Sequence, residues 1–155
     1  MQQDYVKYIR SKMGQKKVIF PSSVACIIKD DLVLIQKRSD FNQWGFPGGT
    51  MELGESFEET LLREVKEETN LDIKIKYLQG VYSKYETIYP NGDKVQFVTS
   101  CFVCEPLSDD LRIDSESKEL KYEKISNIKD NYKLFDKKHY DILDDLMSSK
   151  KGIYR

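Results

Sequence analysis

The run Gly49-Thr-Met-Glu52-Leu-Gly-Glu55-Ser-Phe-Glu-Glu-Thr-Leu-Leu-Arg63-Glu64-Val-Lys-Glu67-Glu68-Thr-Asn70-Leu71 governs how the rest of the chain reads. Between Glu52 and Glu68 it holds seven acids against two bases, Arg63 and Lys66, a local charge of −5 in a chain whose total is −1. Ser56 followed by Glu59 forms a capping box, no proline or glycine interrupts 57–69, and Asn70 stands where a helix ends in the left-handed conformation. The spacing predicts a helix over 57–69, with Phe57, Leu61, Leu62 and Val65 on one apolar stripe and Glu64, Glu67 and Glu68 on the adjoining face. Like charges at i,i+4 cost roughly 0.2–0.5 kcal/mol per pair. The cluster therefore calls for a compensating cation, and oxygen ligands select a hard divalent one. A solvated acidic face is the alternative reading of such a run. The Gly48-Gly49 turn, the spacing to Glu55 and the clustering at 64, 67 and 68 weigh against it.

These residues resemble the Nudix box, G-x5-E-x7-R-E-U-x-E-E-x-G-U with U apolar. Gly49, Glu55, Arg63, Glu64, Val65, Glu67, Glu68 and Leu71 match, and Asn70 is the single departure among nine fixed positions over 23 residues. The lead-in Trp44-Gly-Phe-Pro-Gly-Gly49 and the downstream Glu116-Ser-Lys-Glu119-Leu-Lys-Tyr122 are similar to the family's flanking segments. The looser similarity extends over roughly residues 17–147. Asparagine tolerates the left-handed conformation, so Asn70 disturbs the pattern little.

The resemblance implies an α/β/α sandwich with a mixed β-sheet. It also implies hydrolysis of a nucleoside diphosphate linked to another group X, giving a nucleoside monophosphate and phosphorylated X. The expected cofactor is Mg²⁺, with Mn²⁺ able to substitute. Its expected ligands are Glu64, Glu67 and Glu68, with Gly48 or Gly49 carbonyls and Glu116 as further candidates. Arg63 is placed to orient a box carboxylate such as Glu55. For Glu55 itself a structural ion pair and an outer-sphere metal contact both stay open. Glu64 is the first choice of general base, with Glu119 or Glu116 second. Arg38, Trp44, Phe46, Glu55 and Tyr89 are the candidate substrate contacts, while Tyr82 and Tyr85 lie near the expected cleft. In this family a proline 15–16 residues past the box resembles ADP-ribose hydrolases, and a tyrosine 16–18 past it resembles dinucleoside polyphosphate hydrolases. Here Glu86 and Thr87 occupy the earlier positions and Tyr89 falls 18 beyond Leu71. That leans away from ADP-ribose and leaves dinucleoside polyphosphates, nucleotide sugars and (d)NTPs open. The alternative is a catalytically silent nucleotide-sensing module of the same fold. Retention of Glu64, Glu67 and Glu68 argues for the enzyme.

At 155 residues the chain reads as one domain, with 1–16 a helical extension and 17–148 the core. A nearly balanced charge and a pI near 5.9 give no basic surface for nucleic acid or an anionic membrane, which also disfavours an RNA 5′-end hydrolase. No apolar run approaches the ~20 residues of a membrane span, and the N-terminus lacks the apolar stretch of a secretory signal. Three cysteines fit reduced thiols, and the expected setting is cytoplasmic. The partner is a small nucleotide; a homodimer is left open.

Beyond the box, residues 4–13 read as a short helix ended by Gly14. Residues 18–28 and 32–38 form a hairpin around Lys29-Asp30-Asp31, and 73–85 and 94–105 pair across Pro90-Asn91-Gly92-Asp93. Residues 107–118 read as a loop and 119–125 as a strand. Residues 136–148 form a helix with Tyr140, Leu143, Leu146 and Met147 on one face. Cys101 and Cys104 point to opposite faces of a strand, and no second Cys or His pair accompanies them. His139 reads as a surface or helix-end residue.

Overall fold

The computed structural model describes residues 4–155; Met1–Gln3, the start of the expected extension, lie outside the described residues. Strand β1 (Val18–Lys29) and β2 (Leu32–Arg38) turn back on one another at Asp30, whose φ of 58° suits a short polar side chain. The Trp-Gly-Phe-Pro-Gly-Gly segment supplies two short strands, β3 (Trp44–Gly45) and β4 (Gly48–Thr50). Next come helix α2 (Phe57–Thr69) and the long antiparallel pair β5 (Ile73–Ile88) and β6 (Lys94–Pro106). Strand β7 (Ser117–Lys124), helices α3 (Ile125–Asn131) and α4 (Lys137–Met147), and strand β8 (Ile153–Tyr154) complete the chain. The N-terminal helix α1 spans Tyr5–Met13.

The sheet runs β3-β2-β1-β6-β5-β8, with β4 paired to β1 and β7 to β2. β1 and β6 are parallel, β5 and β8 are parallel, and the remaining pairs are antiparallel. Successive side chains on a strand face opposite ways, and β1 uses both faces. Val24 and Cys26 join the core under α3 and α4, with Ile128, Ile142 and Leu143. Ala25 and Ile27 join the core under α2, with Leu61 and Val65. Cys101 and Cys104 divide between the same two cores, as a spacing of three on a strand requires. Two apolar layers on opposite faces of one mixed sheet make the α/β/α sandwich. A third cluster, Phe20, Val95 and Phe97, lies beneath α1 and receives Tyr5, Val6 and Ile9.

Several expectations need correction. Phe57 and Leu62 are over a third exposed, whereas Glu68 is 3% exposed, so the buried face of α2 runs Leu61, Val65, Glu68. Leu61 and Glu68 are seven residues apart, two helical turns, and share a line. Met147 is exposed and Ile142 takes its place in the core under α4. His139 is buried at 1% exposure, not at the surface. Helix α3 and strand β8 carried no strong sequence signal; α3 has no side-chain cap and β8 is two residues long.

Candidate active site

The site begins with the ends of α2. The Ser56 hydroxyl accepts from the Glu59 amide at 3.1 Å and Glu59 accepts from the Ser56 amide at 2.8 Å, closing the capping box. Asn70 has φ 63° and its amide donates to the Lys66 carbonyl. The helix is thereby fixed at both ends, and its carboxylates have defined positions above β4.

Arg63 organises the near side. Its Nε and Nη2 donate to the two Glu55 carboxylate oxygens at 2.6 and 2.9 Å, a bidentate pair of the strong kind. Nη1 donates to Glu64 at 2.8 Å, and Nη2 also reaches the Thr50 carbonyl at 3.1 Å. Glu55 further accepts from the Glu52 amide and the Thr60 hydroxyl. Arg63, the first cause, holds the Glu55 carboxyl down at about 2. Of the two readings of Glu55, the structure contains the ion pair.

Glu68 has no such cation. It accepts from the Gly48 amide at 2.8 Å, and burial is the main reason its carboxyl is pushed up to about 8. Glu64 is also raised by burial despite its bond to Arg63. Gly48 has φ 147°, and a Cβ there would collide with the Ser23 carbonyl; a Cβ on Gly49 would fall on the Glu64 carboxyl group. Only glycine lets the β4 backbone lie this close beneath the carboxylates. Glu67 is the outermost of the three, its side chain 59% exposed.

Glu64, Glu67, Glu68, Gly48, Gly49 and Glu116 all line one cavity of about 450 Å³, in the range of small-molecule sites. Arg38, Phe46 and Tyr89 line it too. Among the described residues no three His, Cys, Asp or Glu side chains stand close enough together to hold an ion as they are. Arg63 pulls Glu64 and Glu67 its way while Glu68 is held by Gly48, as expected of like charges kept apart. The donor set nevertheless fits a hard cation: all-oxygen, buried, and short of positive charge at Glu68.

Three expected residues lie elsewhere. Glu119 is exposed on β7 opposite Lys37 and is not among the cavity's lining residues. Trp44 packs edge-on against Tyr132, ring centroids 5.1 Å apart, in the core under α3 and α4. Glu55 lies behind Arg63, outside the cavity. Tyr82 and Tyr85 are buried beneath α4, where they donate to Asp145 and Asp141. Conversely, Lys138, His139, Phe97 and Phe135 line the cavity and were not anticipated. A signal existed for two of them: Lys138 and His139 stand one turn before Ile142 and Leu143, in line with the apolar stripe.

A carboxylate-bearing helix set over a glycine turn, on a mixed sheet between two helical layers, makes up the candidate site. The sequence model of the NUDIX domain matches residues 19–146, and the chain belongs to the Nudix family. It is 36% identical over 130 residues to the ADP-ribose pyrophosphatase of Methanocaldococcus jannaschii, covering 81% of this chain and 72% of that one. It is 30% identical over 106 residues to the uncharacterized Nudix hydrolase YvcI of Bacillus subtilis, covering 66% and 65%. Among solved structures, a Nudix hydrolase from Nitrosomonas europaea superposes with TM-score 0.71 at 22% identity, covering 87% of this chain and 76% of that one. A UDP-X diphosphatase superposes with TM-score 0.67 at 20% identity, covering 98% and 74%. The chain is a Nudix-type pyrophosphohydrolase acting on nucleoside diphosphate derivatives. Among the described residues no helix is long and apolar enough to cross a membrane.

Proposed function

We propose that this enzyme is Mg²⁺-dependent, with Mn²⁺ able to substitute, and cleaves the pyrophosphate linkage of its substrate by attack of water. The observation that carries this reading is Glu68: a carboxylate 3% exposed, bonded to one backbone amide and facing a cavity shared with Glu64 and Glu67. An uncompensated carboxylate is costly to bury, and a bound divalent cation removes that cost. Glu64, Glu67 and Glu68 would hold the metal, with the Gly48–Gly49 backbone and Glu116 at hand. When bound, the metal polarises the phosphoryl oxygens and lowers the pKa of a coordinated water.

The chain's own groups do the rest. Glu64 takes a proton from water: one of its oxygens accepts from Arg63 at 2.8 Å, leaving the other free, and burial raises its basicity. Glu116, close enough to Glu64 to raise its pKa further, is the second candidate for base or ligand. Arg63 is a positioning residue, holding Glu64 in place against Glu55. Arg38, 20% exposed and paired with Asp40 at 2.7 Å, offers positive charge to the leaving phosphate.

The test is turnover of ADP-ribose, dinucleoside polyphosphates, nucleotide sugars, CDP-alcohols and (d)NTPs, each with Mg²⁺, with Mn²⁺ and with chelator. Turnover of at least one under a divalent metal, abolished by chelator, is expected. Turnover that survives chelation overturns the metal reading.

A further inference from the structure

Helix α1 lies before residues 19–146, the stretch that matches the family, yet Asp4, Val6 and Lys7 line the same cavity as Glu64, Glu67 and Glu68. Two attachments hold it there. The Glu52 carboxylate, itself part of the cavity lining, accepts from the Tyr5 amide at 3.0 Å. Further along, the Arg10 guanidinium donates to the Lys94 carbonyl at 2.9 Å, on the strand that carries Phe97. Between these points Tyr5, Val6 and Ile9 rest on Phe20, Val95 and Phe97, and Phe97 lines the cavity. Glu52 also leads inward. Its amide donates to Glu55 at 2.9 Å, Glu55 accepts from Arg63 at 2.6 Å, and Arg63 donates to Glu64 at 2.8 Å. The group that latches α1 is therefore tied to the candidate base.

Each phosphoryl group of the substrate brings negative charge to a cavity lined by Glu52, Glu64, Glu67 and Glu68, and like charges held together destabilise one another. Lys7, Arg38 and Lys138 are the lysine and arginine side chains that line it. Arg38 is gripped by both Asp40 oxygens, at 3.0 and 2.7 Å, and Lys138 is buried beside Asp136. Lys7 is free to move. Its side chain is 84% exposed and pairs with Asp4 at 2.9 Å, and an ion pair in open solvent contributes little to stability. Asp4 keeps its own role without that charge, because it caps α1 by accepting from the Lys7 amide at 3.0 Å. Exchanging Asp4 for a phosphoryl oxygen therefore costs Lys7 little, and a charge-assisted bond to phosphate is the stronger of the two. We propose that α1 forms a wall of the substrate site and that the Lys7 ammonium donates from it to a phosphoryl oxygen of the substrate. The assignment rests on the pyrophosphohydrolase reading above and adds a substrate-binding residue from outside the matched stretch.

The test uses the full-length protein and methylenediphosphonate, a pyrophosphate analogue whose carbon bridge resists hydrolysis, with Mg²⁺. Calorimetry should find that Lys7→Met binds the probe at least about 5-fold more weakly than the parent, the scale of one charge-assisted bond at an exposed site. Lys7→Glu should bind it more weakly still, and Lys7→Arg should stay within about 3-fold of the parent. Raising the salt concentration should weaken binding to the parent more than to Lys7→Met. All three variants should melt with the parent, since Lys7 buries nothing. In the parent the probe should slow hydrogen exchange of α1 amides, because a ligand held by Lys7 opposes local opening of the helix. Turnover of the fastest substrate among ATP, ADP-ribose and UDP-glucose should show the loss in KM, at least about 5-fold for Lys7→Met, with kcat within about 3-fold. Equal affinity of the parent and Lys7→Met overturns the assignment, as do a loss in Lys7→Arg as large as in Lys7→Glu, α1 exchange unmoved by the probe, and a parent that does not bind the probe. Probe binding that depends on Lys7 but persists under chelator would leave Lys7 standing and count against the metal reading instead.

Discussion

Glu68, in the last turn of α2, and Asn70, its C-cap, stand two residues apart and answer to different forces. Glu68 is held buried by the cavity; burial raises its carboxyl, and the Gly48 amide offsets part of that cost. Glu68→Gln should reduce turnover by at least ~10²-fold, the scale of losing a catalytic group. The metal-free protein should melt at the same temperature or higher, because glutamine places no ionisable carboxyl in the buried site. Mg²⁺ should then raise the melting temperature of the parent and not of the variant, since a ligand that binds only the folded state stabilises it. Steady-state kinetics and melts with and without Mg²⁺ check both halves; a fully active variant would defeat the metal assignment. Asn70 is held by backbone geometry. Asn70→Gly should shift stability by less than ~1 kcal/mol, glycine relieving the φ of 63° while the bond from Asn70 to the Asp110 carbonyl is lost. Asn70→Val should be the more destabilising of the two, as a β-branched residue resists positive φ. Urea denaturation of the pair decides it, and equal tolerance of valine would show that α2 does not end there. The left-handed ending was legible from the sequence because it is local. The burial of Glu68 was not, because it depends on β4 arriving beneath the helix.

At the scale of elements, one buried carboxylate ties α4 both to β5 and to the residue after β8. Asp145, 2% exposed, accepts from the Tyr82 hydroxyl at 2.9 Å and from Arg155 at 3.1 and 2.8 Å. Arg155, the first cause, holds its pKa below the usual 3.8. A carboxyl whose folded pKa lies below its unfolded value adds stability above the unfolded value and loses it as pH falls through the folded one. Asp145→Asn should therefore be less stable than the parent at pH 7, with the gap closing as pH drops below about 4. Denaturant melts at pH 7, 4 and 3 measure the gap; a difference constant with pH would show that the charge of Asp145 is not what matters. Lys138, His139 and Asp145 interrupt the apolar pattern of α4. Their spacing places Lys138 and His139 in line with Ile142 and Leu143, and the surrounding strands bury all three polar residues.

For the whole molecule, the sandwich predicts a gradient of stability. β1 and β6 lie at the centre of the sheet with a core on each face, whereas α1 rests on one small cluster and has no buried residue of its own. Native-state hydrogen exchange should find the slowest amides in β1 and β6, opening only with global unfolding. Amides of α1 should exchange by local opening several orders of magnitude faster. Amides of α1 as protected as those of β1 would mean that the helix is an integral part of the core.

The sequence by itself determined the family, the two-faced strands, the span and caps of α2, and the cluster Glu64, Glu67 and Glu68. All of these depend on neighbours within one helical turn or on side-chain alternation, and short-range sterics and hydrogen bonds settle them. Tertiary structure alone decided which carboxylates are buried, that Glu119 and Trp44 stand outside the cavity, and that Lys138 and His139 stand inside it. Those outcomes depend on pairings across the fold, β1 with β6 and β4 with β1, whose partners lie far apart in the chain. Burial is a property of the packed layers, and spacing along one strand or helix does not by itself settle it for a polar residue.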